Sequence, residues 1–119
     1  MPLSNGAPIF AVTELSAAVD FYTHSLGFTV FMQTTDPMPY AVLGRDGVQV
    51  HLTVDDSRRG KGAMYAMTDD VDALYEELKG KGVRIVEPPD DRVYGMRDMY
   101  FNDSCGNMIG FGQALGQTA

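Results

Sequence analysis

Apolar residues follow two alternating periods along this chain, and the same succession of periods occurs twice. Ile9-Phe10-Ala11-Val12 is a short run with strand composition. Leu15, Val19, Tyr22 and Leu26 then recur at spacings of four, three and four, which puts them on one face of a helix. Ser16 is expected to cap its start, and Gly27 to supply the left-handed residue past its end. From Phe28 to Gln33 the period becomes strand-like. Asp36-Pro37-Met38-Pro39 breaks the chain, Tyr40 to Leu43 reads as a strand, and Arg45-Asp46-Gly47 is a tight hairpin signal. Val48 to Val54 alternates strictly, with Val48, Val50, Leu52 and Val54 on one face and Gln49, His51 and Thr53 on the other.

Asp55 to Gly62 is polar and Gly-containing and reads as a linker, after which the pattern restarts. Ala63 to Thr68 is strand-like, and Asp70 is placed to cap a helix. Val71, Leu74, Tyr75 and Leu78 share a helical face, and Gly82 ends it. Val83 to Val86 is a strand, and Pro88-Pro89 is expected to forbid regular pairing. Met96 to Phe101 and Met108 to Gly112 are strands joined by the turn Asp103-Ser104-Cys105-Gly106-Asn107.

The two halves can be laid on each other. An offset of 55 places Phe10-Ala11-Val12-Thr13-Glu14 on Tyr65-Ala66-Met67-Thr68-Asp69, and Gly27-Phe28 on Gly82-Val83. An offset of 59 places Gly47 on Gly106 and His51-Leu52 on Gly110-Phe111. The expected fold class is therefore α+β. Two βαβββ-type modules, about 7–55 and about 62–114, form a single domain over 1–119. A curved mixed sheet carries the helices on its outer face and leaves a concave trough on the other.

Charge narrows the partners. Sixteen acidic and nine basic residues give a formal net charge of −7, a field that repels phosphate backbones and attracts cationic ligands, so no nucleic-acid partner is expected. A lone cysteine, Cys105, excludes an intrachain disulfide and a Cys-type zinc cluster. No apolar stretch approaches the roughly 18 residues that span a membrane, and no basic start precedes an apolar run. A cytoplasmic protein with no membrane partner is expected. Eight Met and no Trp leave Met to fill gaps or line an adaptable pocket.

Several motifs together carry a family resemblance. They are Val19-Asp20-Phe21-Tyr22 with Leu26-Gly27-Phe28, Val71-Asp72-Ala73-Leu74-Tyr75 with Gly82-Val83, and Tyr94-Gly95-Met96-Arg97-Asp98 leading to Asp103-Ser104-Cys105-Gly106-Asn107. Over residues 7 to 113 the chain resembles the vicinal oxygen chelate superfamily of glyoxalases, bleomycin-resistance proteins and extradiol dioxygenases. The usual last turn of that family reads Asp-Pro-Asp-Gly-Asn, and here Ser104 and Cys105 replace its Pro and second Asp. The resemblance implies four metal-ligand positions, on the first and last strand of each half. They fall near Ala7, Pro8 or Ile9, on His51, on Met64 and on Gly110. Only His51 offers a usable donor, and the neighbours Ala63, Tyr65, Ile109 and Phe111 offer no better. No metal, no cofactor and no catalytic residue are therefore expected. His24 sits on the polar side of the first helix. Gly60-Lys61-Gly62 lacks the phosphate-loop pattern, and Cys105 beside Asp103 has no cation to activate it.

Alternation then assigns the trough. The ligand-binding positions expected there are Phe31, Gln33, Tyr40, Gln49, His51, Thr53, Met64, Thr68, Asp98, Tyr100, Met108 and Gly110, with Val42 and Ala66 beside them. Such a lining suits a medium-sized organic ligand held by stacking and a few hydrogen bonds. Asp98 is expected to face a cationic group, and His51 to hydrogen-bond Tyr40 or Gln49. The similarity to bleomycin-resistance proteins implies a non-catalytic homodimer that sequesters such a ligand or antibiotic. The alternative is a glyoxalase- or dioxygenase-type enzyme, metal-free or with non-standard ligands, working through His51, Asp98 or Tyr100.

Overall fold

A computed structural model describes residues 1–116. The elements follow the sequence order: β1 (Ile9–Val12), α1 (Leu15–Asp20) continuing into a π turn (Phe21–Ser25), β2 (Thr29–Thr34), β3 (Tyr40–Arg45) and β4 (Val48–Val54), then β5 (Ala63–Met67), α2 (Val71–Gly80), β6 (Ile85–Asp91), β7 (Met96–Asn102) and β8 (Met108–Ala114). The class is α+β, built from two βαβββ modules. The strands form two mixed four-stranded sheets, in the orders β1-β4-β3-β2 and β5-β8-β7-β6. In each sheet the module's first strand lies parallel to its last, and every other pairing is antiparallel. β1 and β5 are sheet edges and do not hydrogen-bond each other, so the curved sheet expected from the sequence is divided in two.

Alternation decides which face each strand buries. Phe10 and Val12 on β1, Ala41 and Leu43 on β3, and Val50 and Leu52 on β4 point under α1 and are buried. Met99, Phe101, Ile109 and Phe111 do the same under α2. These two sets, with helix residues Leu15, Val19, Tyr22, Val71 and Leu78, form one continuous core across both modules. Among the described residues no helix is long and apolar enough to cross a membrane.

Three local expectations change. Glu14, not Ser16, caps α1: its carboxylate accepts from the backbone N–H groups of Ser16 (3.2 Å) and Ala17 (2.7 Å). Asp70 caps α2 as expected, through the Ala73 N–H at 3.0 Å. Pro88-Pro89 lies inside β6, where it interrupts the β7 pairing between Glu87 and Asp90 and does not end it.

The third change concerns the repeat. The capping residues Glu14 and Asp70, the helix starts Leu15 and Val71, and the buried pair Tyr22 and Leu78 are all related by 56, whereas Gly27 and Gly82 are related by 55. The π turn accounts for the difference, because it holds one residue more than an α-helical turn would. The correct partner of Tyr65 is thus Ile9 and not Phe10. Both lie opposite last-strand positions, Ile9 opposite His51 and Tyr65 opposite Gly110.

The second half's turn joins the modules. The Tyr22 hydroxyl donates to Asp103 Oδ2 at 2.7 Å, and Asp103 Oδ1 accepts from the N–H groups of Cys105 and Asn107, each at 2.9 Å. Asn107 donates from Nδ2 to the β1 carbonyl of Ala11 (3.2 Å) and accepts the Gly62 N–H on Oδ1 (2.9 Å). Burial, and then Asp103, push the Tyr22 phenol well above its ordinary range. At the surface, Arg45 on β3 makes a two-pronged contact with Glu77 on α2 (2.6 and 3.0 Å), and this hydrogen bonding holds the Glu77 carboxyl below its usual range.

Candidate functional site

Each sheet buries one face and leaves the other open. On the first module, rows of paired residues place Ile9, His51 and Val42 side by side, with Thr53 opposite Tyr40 and Gln49 opposite Gly44. The Tyr40 hydroxyl lies 2.8 Å from His51 Nδ1, with the rings at 90°. Gln49, His51, Thr53, Tyr40 and Val42 therefore sit on the open face expected of them.

β2 carries a bulge between Val30 and Met32, and Phe31 is its extra residue. The Phe31 ring rests on Gly44, 2.6 Å from where a Cβ would stand. Past the bulge the phase is reversed. Gln33 pairs with Ala41 on the helix side, and Met32 and Thr34 occupy the open face in its place. Met32, Gln33, Thr34, Met38, Tyr40 and Thr53 help to line an open groove of about 900 Å³, so Gln33 borders it although its strand pairing is on the helix side, and the groove draws no residue from the second module.

On the second module the one-residue change in repeat offset exchanges the faces of β5. Met64 packs against the core and Ala66 is buried, so neither faces the open side. Tyr65 and Met67 face it instead, opposite Gly110 and Gly112. Thr68 lies beyond β5 and lines a separate hollow of about 320 Å³ between the modules, with Phe28, Val48, Leu74 and Phe111. Tyr100, Gly110 and Met108 take the open face as expected.

Asp98 is the centre of that face, yet it is fully buried. Its Oδ2 accepts from the hydroxyls of Tyr94 (2.6 Å), Tyr65 (2.9 Å) and, more distantly, Tyr100 (3.4 Å), while Arg92 Nε donates to Oδ1 at 2.8 Å. Burial alone would raise the Asp98 pKa, but the hydrogen bonds from Tyr94, Arg92 and Tyr65 outweigh it and hold the carboxyl below its ordinary value. The expectation that Asp98 faces a cationic ligand is thus replaced: its cation is Arg92. Arg92 and Tyr94 come from the loop before β7, where no strand period could have marked them. Tyr65 was open to detection through the Glu14–Asp70 capping match.

The arrangement has a measurable consequence. Burial, and then the hydrogen bond to Asp98, push the Tyr65 phenol up to about 12, and hydrogen bonds to Asp98 and Tyr100 push Tyr94 up as well. A phenol whose folded pKa is raised adds stability below its unfolded value of about 10, and that contribution is lost as pH rises through the folded value. A side chain at 112 would meet the Tyr65 hydroxyl and come within 3.0 Å of the Asp98 Cβ. Gly112→Ala is therefore expected to dislodge Tyr65 from Asp98, return its ionisation toward about 10 and lower the melting temperature. Phenolate absorbance during an alkaline titration checks this; an unchanged curve counts against it.

The model of the Glyoxalase/Bleomycin resistance protein/Dioxygenase superfamily matches residues 7–111. The chain belongs to this superfamily. Solved structures agree with the assignment. TnmS3, an antibiotic binding protein from Streptomyces sp. CB03234, is 25% identical with a TM-score of 0.77, covering 96% of this chain and 98% of its own. A superfamily member from Sphaerobacter thermophilus DSM 20745 is 26% identical with a TM-score of 0.77, covering 95% and 98%. TioX from Micromonospora sp. ML1, 21% identical with a TM-score of 0.80 and coverage of 94% and 99%, shares the fold. No curated protein matches.

Metal-dependent members of the superfamily would draw ligands from the open-face positions of the first and last strands. In this chain those positions are Ile9, His51, Tyr65 and Gly110. Ile9 and Gly110 offer no donor and the Tyr65 phenol is held protonated against Asp98, which leaves His51, through Nε2, as a single ligand with no second donor beside it. Among the described residues no group of three or more His, Cys, Asp or Glu side chains converges as a metal site. The residues do not fit a chelated divalent ion.

Proposed function

We propose that this chain is a non-catalytic small-molecule-binding protein that sequesters a medium-sized organic ligand on its open sheet faces. The observation that carries this reading is the pairing of a donor-poor ligand quartet with open faces lined by Phe31, Met32, Tyr40, His51, Tyr65, Tyr94 and Tyr100. The antibiotic-binding neighbour TnmS3 supports it. The groove of the first module is about 900 Å³ and wide open, and the opposite open face belongs to a different sheet. A second copy of the chain would close such a groove, so the proposed working form is a homodimer.

Native mass spectrometry of protein purified without chelator or metal affinity tests this. The expected result is a dimer carrying an organic mass that is released on denaturation. Near-stoichiometric nickel, zinc, iron or manganese would overturn it in favour of an enzyme. A second reading rests on the Tyr40–His51 hydrogen bond, a pair able to move a proton on the open face without a metal. If turnover of a candidate substrate survives His51→Ala unchanged, that reading is removed.

A further inference from the structure

We propose that Asp98 acts as a positioning residue, fixing Tyr65, Tyr94 and Tyr100 as an aromatic plate that takes a planar aromatic ligand by stacking, with no ion pair to the carboxylate. The inference rests on reading the open faces as ligand-binding surfaces and names the ligand class for one of them.

The floor of the plate is made of missing side chains. Tyr100 lies 2.6 Å from where a Cβ at Gly110 would stand, and Tyr65 runs along both Gly110 and Gly112. The two rings have centroids 6.2 Å apart and are tilted by 51°, so a flat ligand stacks on the face of one and meets the edge of the other. Each ring rests against the strand at Gly110, and Tyr65 still exposes 42% of its surface and Tyr94 58%. Large aromatic surface left open on a sheet is costly unless something covers it.

The hydroxyls are committed inward. Those of Tyr65 and Tyr94 donate to Asp98 Oδ2, and the Tyr100 hydroxyl lies 3.2 Å from that of Tyr94. What remains outward is ring surface rather than hydrogen-bond donors. Arg92 neutralises Asp98 from the other side at 2.8 Å and leaves the carboxylate closed to a ligand cation. Tyrosines whose rotamers are fixed before binding lose little entropy when a flat ring system settles on them. Chemistry thus favours a fused aromatic ligand over an aliphatic polyamine, although the chain is acidic overall.

The probes are phenazine, which is neutral, flat and aromatic, and spermidine, a flexible aliphatic cation, each titrated into the full chain with ring-labelled tyrosine observed by NMR. Phenazine is expected to produce ring-current shifts at Tyr65 and Tyr100. Asp98→Asn is expected to weaken phenazine binding about tenfold, the equivalent of losing a well-formed aromatic contact. Tyr94→Phe, which removes only a hydroxyl from an exposed ring, should weaken it in the same direction while the protein stays folded. Weaker phenazine binding by a Tyr94→Phe protein of unchanged stability is a signature that a merely structural Asp98 would not create. Phenazine shifts confined to Tyr40 and His51 would overturn the plate while leaving ligand binding to an open face intact. Shifts at the plate from spermidine alone, or none at all from phenazine, would overturn it too, and the organic mass copurified with the protein then judges the wider reading separately.

Discussion

Asp98→Ala is expected to cost about 3 kcal/mol of folding stability, near the lower end of what removing one partner of a buried ion pair costs. Its carboxylate is fully buried, and the change would leave the Arg92 guanidinium with the solvated carboxylates of Glu87 at 3.5 Å and Asp90 at 3.9 Å and with the backbone carbonyls of position 98 and Pro88. Two tyrosine hydroxyls would also lose their acceptor. Urea denaturation measures the loss. The acid limb adds an independent signature. Because the folded pKa of Asp98 is depressed, its contribution is complete above the unfolded carboxylate value of about 3.9 and disappears as pH falls through the lower folded value. Wild-type stability should therefore fall below about pH 4 with a component that Asp98→Asn lacks. A variant within a few tenths of a kcal/mol of wild type would show that the network carries little stability.

Asn107→Ala is expected to be comparably damaging, at about 2–3 kcal/mol, for a different reason. Asn107 is fully buried, and its amide serves the Gly62 N–H, the Ala11 carbonyl and Asp103 Oδ2 at once. Alanine strands the half-buried Gly62 donor and leaves Asp103 Oδ2 with the Tyr22 hydroxyl as its remaining side-chain partner. The Ala11 carbonyl keeps only the longer bond from the Gly60 N–H at 3.4 Å. Since this amide ties β1 and the linker to the turn before β8, the loss should be uneven. Hydrogen exchange is expected to speed up in β1 more than in β7, and equal protection in both would contradict the role of Asn107 as the tie between modules.

The succession of periods revealed the modules, because seven-residue alternation from Val48 to Val54 and four-residue helical spacing survive any local distortion. The four-residue lengthening of the second half was legible for the same reason, and so were the open-face positions of Gln49, His51, Thr53, Asp98 and Tyr100. What failed were single-residue irregularities. A bulge at Phe31 moved Gln33 off the open face, and a π turn after Asp20 changed the repeat offset. That change sent Met64 and Ala66 into the core and brought out Tyr65. A one-residue slip in a strand exchanges its two faces entirely, so an error invisible in the helix became total in β5. Asp98 was correctly placed on its face, but its partner was missed, since Arg92 arrives from a loop with no periodic signature.

The extra residue of the first half is spent where it does no harm. It lies between Tyr22 and Phe28, at the end of α1, while the corresponding stretch from Leu78 to Val83 is one residue shorter. Both stretches return the chain to the same place: Phe28 bonds back to the Tyr22 carbonyl as Val83 does to that of Leu78. Length can thus drift between the duplicated halves without either sheet having to re-pair, and the helix end acts as slack in the chain. The central pairs β3–β4 and β7–β8 keep an unbroken register in both halves, and the likeness of the halves survives in space after it has been blurred in sequence.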